Sequence, residues 1–167
     1  NRKYQFKCKN NSWQFYKKKY FIEKINIKKN SLIIIDETIS LLIEKDWLDM
    51  KDFSENFRIK FSKFLKRHRI KNIYYKSHPT SEIKSFILKQ IDLKKINFLN
   101  QNFPIEFILD DFNYCIFSIS SSLAFTRKVK LYHLSDLLKF KKEVYKKKYE
   151  NLLKKNIGKN YLRITNI

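Results

Sequence analysis

The run Leu32-Ile33-Ile34-Ile35 constrains the fold more than any other stretch of the chain. It has no polar face, and Asp36-Glu37 ends it abruptly. A strand of this kind must be covered on both sides, which is the condition of a central strand in a parallel sheet. Shorter runs of similar character recur at Ile73–Lys76, Ile96–Leu99, Tyr114–Ile119 and Val129–Leu134. Helical patterns separate them. From Ser54 to His68, Phe57, Phe61, Phe64 and Leu65 share one face while Arg58, Lys60, Lys63, Lys66 and Arg67 take the other. Thr80 or Ser81 can open a helix carrying Ile83, Phe86, Ile87 and Ile91, and Ile105 to Leu109 reads as a short helical turn. Ser120 or Ser121 is placed to cap a helix starting near Leu123. Ser135 is placed to open a long one, with Leu137, Leu138, Val144, Tyr145, Tyr149, Leu152 and Leu153 at three- and four-residue steps.

Strands alternating with helices at this spacing predict a Rossmann-like three-layer α/β/α domain, with a parallel sheet of about five strands and right-handed crossovers. Residues 31–134 would form that domain. Residues 1–30, where Trp13, Phe15, Tyr16, Tyr20 and Phe21 are interleaved with lysines, read as an N-terminal cover or inter-domain segment. Residues 135–167 read as a basic helix and tail. The chain begins with Asn1 and shows no signal-like or spanning apolar segment, as expected of a processed chain or a piece of a longer one. Cys8 and Cys115 are too few for a disulfide scaffold, and a reduced thiol in the strand-like run around Cys115 points to a cytoplasmic compartment.

Gly158 is the only glycine. That excludes a P-loop, a GxGxxG dinucleotide fingerprint and a GxSxG nucleophile elbow, each of which needs several glycines for tight turns and close backbone approach. A phosphate would have to be held by hydroxyls, Lys, His or backbone N–H groups. The net charge of +21 favours an anionic partner. Most of that charge is lysine in a chain rich in Lys, Asn and Ile, a composition that AT-rich coding DNA also produces, so charge alone names no ligand.

Three groups of polar residues fall where strands end. Ile73–Lys76 delivers Lys76, His78 and Pro79; the loop after the third run carries Pro104-Ile105-Glu106; and the fourth run ends in Ser120, Ser121 and Ser122. In an open parallel sheet, ligands bind beyond the carboxyl ends of the strands, where strand order reverses. Lys76 and His78 suit a phosphate, and His78 can also give a proton to a departing one. The serines suit an anion, and Glu106 can accept hydrogen bonds from ribose hydroxyls.

Lys76-Ser77-His78-Pro79, then Pro104-Ile105-Glu106, then Ser121-Ser122, in this order, resemble the nucleotide-binding half of bacterial GT-B sialyltransferases of the lipooligosaccharide sialyltransferase and polysialyltransferase type. These enzymes share a His-Pro motif and a paired-serine motif. The resemblance spans roughly Leu32 to Leu134 and implies the C-terminal, donor-binding half of a GT-B glycosyltransferase. Its activity would be inverting, metal-free transfer of sialic acid from CMP-sialic acid to a cell-surface glycan of the lipooligosaccharide or capsule kind. By the same resemblance His78 is catalytic at the phosphate leaving group, Pro79 and Lys76 border the cytidine, Glu106 holds the ribose, and Ser121 and Ser122, with Ser120 beside them, bind phosphate oxygens.

The family also carries two acids followed by glycine in a separate N-terminal domain. Here Asp36-Glu37-Thr38 and Asp110-Asp111-Phe112 lack that glycine, so the general base is expected in an N-terminal domain outside this chain, and the chain alone is expected to be inactive. Expected partners are the nucleotide-sugar donor, the glycan acceptor and that N-terminal domain. Lys139, Lys141, Lys142, Lys146–Lys148, Lys154 and Lys155 also suggest contact with an anionic inner-membrane surface. The alternatives are a basic nucleic-acid-binding domain, which explains the charge but not the polar residues at strand ends, and a transferase using another nucleotide sugar.

Overall fold

A computed structural model of the chain describes residues 26–36, 39–51, 53–77, 87–100, 103–118 and 120–167. Its sheet contains β1 (Ser31–Asp36), β2 (Asn72–Ser77), β3 (Ile96–Phe98), β4 (Tyr114–Phe117), β5 (Lys130–His133) and β6 (Ile164–Thr165). Their order across the sheet is β3-β2-β1-β4-β5-β6, and every neighbouring pair is parallel. The chain therefore builds outward from β1 in one direction, returns to the middle at β4, and builds outward in the other. The α-helices among the described residues are α1 (Ile39–Glu44), α2 (Phe53–Arg67) and α3 (Glu143–Ile157). This is an α/β fold, and none of these helices is long and apolar enough to cross a membrane.

Every residue of β1 is buried. Leu32 and Ile34 point to a first face, where they meet Ile39 and Leu42 of α1 and the phenylalanine stripe Phe53, Phe57, Phe61 and Phe64 of α2. Ile33 and Ile35 point to the second face, among Leu109, Leu123, and Leu153 and Ile157 of α3. Each such side chain contributes roughly 2–3 kcal/mol by leaving water, which is why the run admits no polar residue before Asp36. Cys115 is a core residue of the second face.

Two expected helices take other forms. The segment after β4 makes only a 3₁₀ turn, Ser121–Phe125, before the chain must enter β5 at Lys130. The crossover is too short for a helix of several turns with a loop at each end. The helix expected from Ser135 begins only at Glu143, after a 3₁₀ turn at Leu134–Leu137 and an antiparallel bridge between Leu48 and Phe140. Leu134, Leu137, Leu138 and, within α3, Tyr149 belong to the first-face core whereas Leu153 and Ile157 belong to the second, so the segment passes from one core to the other along its length. Residues 135–167 also supply β6, a strand too short for alternation to betray it. Of the helix expected after Thr80, Ile87 is buried and Leu88–Gln90 forms a 3₁₀ turn, while Thr80, Ser81, Ile83 and Phe86 lie outside the described residues. So do Cys8 and the aromatic residues expected to cover the N-terminal side.

Near-absence of glycine has a visible consequence at helix ends. After α2, Ile70 N–H bonds Leu65 C=O and Arg69 N–H bonds Lys66 C=O, with Arg69 left-handed at φ 50°. After α1, Trp47 bonds Leu42 and Asp46 bonds Ile43, with Asp46 at φ 54°. Both are Schellman closures at which glycine is the usual residue. The one glycine ends α3 at φ 60°, ψ −130°, a region closed to side chains. Gly158→Ala is expected to lower stability by about 1–2 kcal/mol, through backbone strain alone because open space surrounds its Cα. Arg69→Gly should raise stability by up to about 1 kcal/mol. Urea denaturation of both variants checks the two signs.

Candidate functional site at the carboxyl edge of the sheet

Among the described residues, apart from Ser31 and Thr126, the buried polar and charged ones are Asp36, Lys76, Ser118, Ser120, His133 and Ser135. All six lie at, or just past, the C-terminal ends of β1, β2, β4 and β5. Burying a polar group is unfavourable unless it is hydrogen-bonded, so their collection along one edge of an otherwise apolar sheet calls for a reason. The edge also contains the reversal of strand order, between β1 and β4, the position at which open parallel sheets bind ligands.

The strand register places these groups. Lys76, Ile35, Phe117 and His133 form one row across β2, β1, β4 and β5. Ile35 and Phe117 belong to the second-face core, and residues in one row of a parallel sheet point the same way, so Lys76 and His133 lie on that face too. Lys76 is buried, and its Nζ donates to Ser77 C=O at 3.3 Å. On the first face the Tyr75 hydroxyl donates to Asp36 Oδ2 at 3.0 Å, fixing the carboxylate at the end of β1. Asp36, which ends the apolar run, is the last residue of the strand.

The serine segment follows β4. Ser120 is extended and buried, and its Oγ makes no hydrogen bond, not even to the turn it precedes. Ser120 therefore does not cap the turn, and a 3₁₀ turn of this length brings no appreciable helix dipole to an anion. Ser121 opens the turn; its side chain lies outside the described residues. Ser122 Oγ donates to Glu106 Oε1 at 2.5 Å, so the serine segment and the Pro104-Ile105-Glu106 segment, apart in sequence, meet. His78 and Pro79 lie outside the described residues.

The strand-ward end of this segment is clamped from both sides. Asn160 Nδ2 donates to the carbonyls of Leu123 and Thr126 at 2.6 and 2.9 Å. Arg163 reaches the carbonyls of Thr126 and Val129 at 2.5 and 3.0 Å. From the other side, the Asp110 carboxylate accepts the backbone N–H groups of Arg127, Lys128 and Val129 at 2.9 to 3.3 Å. Burial pushes the Asp110 pKa up, but these N–H donors and the Thr126 hydroxyl outweigh it and hold the carboxyl below its usual range. Asp110 thus works at the start of β5, the edge opposite the polar row, and is not aimed at a ligand there.

His133 and Ser135 carry no sequence motif, and the only signal that could have found them is a polar-x-polar ending shared by β4 (Ser118, Ser120) and β5 (His133, Ser135). His133 Nδ1 and Ser135 Oγ are 2.5 Å apart, and the imidazole stacks on Tyr149 with ring centroids 5.0 Å apart. Its Nε2 is buried without a hydrogen-bond partner. Burial first, and the Lys146 charge second, push its pKa down to about 3, so the ring is neutral at pH 7 and can exchange hydrogen bonds but brings no positive charge.

No protein-family model, curated protein or solved structure matches the chain.

Asp110→Ala should lower stability by about 2 kcal/mol, because it leaves clamped N–H groups unpaired. Since the native carboxyl is shifted down, that stability is present above the ordinary value of 3.8 and is lost only as pH falls below it. Comparing unfolding of Asp110→Ala and the native chain at pH 7 and pH 3 checks both statements. For His133 the unfolded chain takes up a proton below 6.5 while the native ring stays neutral down to about 3. Stability should therefore decline by roughly 1 kcal/mol per pH unit as pH falls below that value, a slope that His133→Gln removes. Denaturation midpoints between neutral pH and the onset of carboxylate titration measure it.

Proposed function

We propose that this chain is the donor-binding part of a glycosyltransferase, with a Rossmann-like domain as the C-terminal half of a GT-B enzyme and CMP-sialic acid as the donor. Support for the Rossmann-like reading comes from the strand order, which is that of two mononucleotide-binding halves meeting at the middle of the sheet. Support for a nucleotide at that meeting point comes from the buried polar groups at the same strand ends. The single observation that carries the reading is the Ser122–Glu106 hydrogen bond. It joins the paired-serine segment to the segment assigned to the ribose, as a common pocket requires.

In this reading the serine hydroxyls and Lys76 face the phosphate, and His78, two residues further along the chain than Lys76, acts on the same group. Glu106 uses one carboxylate oxygen to orient Ser122 and keeps the other for a ribose hydroxyl. Heterolysis of the sugar–phosphate bond leaves the electron pair on CMP and positive charge on the sugar. Donors fixed at the phosphate lower the energy of that charge-separated state, and His78 can protonate the departing oxyanion. The acceptor hydroxyl needs a base from elsewhere, and the N-terminal domain implied by the resemblance is its proposed source. Asp110 is a poor candidate because its lone pairs are taken by backbone N–H groups.

Calorimetric titration of the chain with CMP should give saturable binding at millimolar nucleotide or below. Ser122→Ala and Glu106→Gln should each weaken it by about 5–30-fold, the equivalent of one charge-assisted hydrogen bond. Absence of binding by the folded chain, or equal binding of UMP, AMP and inorganic phosphate, would sink the reading.

A further inference from the structure

The exposed face of α3 separates the basic residues of the C-terminal segment into two kinds. Lys139 and Lys141 are occupied by Asp49 and Asp46, at 2.8 and 2.5 Å, and Lys146 is half-buried. Lys147, Lys148, Lys154 and Lys155 are all exposed. At 100° per residue they fall on one arc, opposite the buried Tyr149, Leu153 and Ile157. Glu143 and Glu150, the acids of the helix, border that arc on one side. Val144 stands among the lysines, 49% exposed, and Leu152, 44% exposed, flanks them on the other side. Leu162 follows in the next turn, 90% exposed, beside Tyr161, whose ring lies 4.9 Å from Lys154 Nζ.

We infer that this face docks on an anionic lipid surface, with the lysines at the headgroups and Val144, Leu152 and Leu162 entering the interface. Charge complementarity names an anionic partner, and the aliphatic residues among the charges decide between partners. Phosphate contacts to a nucleic acid would need the lysines alone, or aromatic stacking residues for a single strand, whereas exposed aliphatic side chains beside lysines suit the boundary between headgroup and acyl chain. Net charge does not single out α3, because α2 is also basic. On α2, however, Glu55 lies within the exposed arc, Ile59 is the one largely exposed aliphatic residue, and Lys60 is turned to the Asp136 carbonyl. α2 packs on the first-face core, whereas α3 buries Leu153 and Ile157 in the second-face core, so the basic faces of the two helices can be tested separately. The inference is independent of the nucleotide reading.

Co-sedimentation of the chain with phosphatidylglycerol–phosphatidylcholine vesicles tests it. The chain should bind these and leave pure phosphatidylcholine vesicles in the supernatant. Replacing Lys147, Lys148, Lys154 and Lys155 by Ala should weaken binding about tenfold or more. Leu152→Ser with Leu162→Ser should weaken it several-fold with the charge intact. The matched control replaces Arg58, Lys63, Lys66 and Arg67 of α2 by Ala and should retain binding. All these positions are exposed, and circular dichroism verifies that each variant is folded. Equal loss in the α2 control overturns the proposal in favour of diffuse net charge. Failure to bind anionic vesicles overturns it outright, and so does α3-dependent binding of a random oligonucleotide in place of vesicles.

Discussion

Burial of β1 on both faces is the constraint on which the rest of the structure depends. With Leu32 and Ile34 on one side and Ile33 and Ile35 on the other, neither side can meet water, so each must be roofed. The phenylalanine stripe of α2 roofs the first side, and the 3₁₀ segments with α3 roof the second. Placing β1 at the centre puts β2 and β4 on its two flanks, and the strand order reverses there. The same apolar run that stabilises the domain thereby places the reversal of strand order at its own carboxyl end, where Asp36 terminates it.

That reversal gives the buried polar groups a common setting. A core rich in phenylalanine and isoleucine gains nothing from Lys76, Ser120 or a neutral His133 sealed at its margin. In the proposed function their cost is offset at an edge that takes a ligand, where prepositioned hydrogen-bonding groups strengthen recognition. The clamp of Asp110, Asn160 and Arg163 fits the same picture, since it fixes the segment between the serines and β5 from the far edge. The C-terminal residues thus bear on the site through backbone carbonyls.

Much of this was legible in the chain itself. Apolar runs located β1, β2, β4 and β5 because inner parallel strands leave little polar face to confuse the pattern. The edge strand β3 was marked by Ile96, Phe98 and Leu99 around Asn97, and the helix around Phe57, Phe61 and Phe64 was as plain. β6 was not legible, because a two-residue strand has no period, and the broken path from Leu134 to Glu143 was not, because the leucines of one apparent stripe are shared between two cores. At the site, Ser122 and Glu106 could be paired in advance by motif. His133 and Ser135 could not: their meaning comes from register with Lys76 and Phe117, a relation between strands that no local window contains.

The most direct measurement is amide ¹H–¹⁵N shift mapping of the chain as CMP is added. The account predicts that the largest changes cluster at Asp36, Ser77, Ser118, Ser120 and Ser122, with little movement around Asp110 and Asn113 at the opposite edge. Changes concentrated at that opposite edge, or spread along the lysines of α2 and α3 with the strand ends silent, would contradict it.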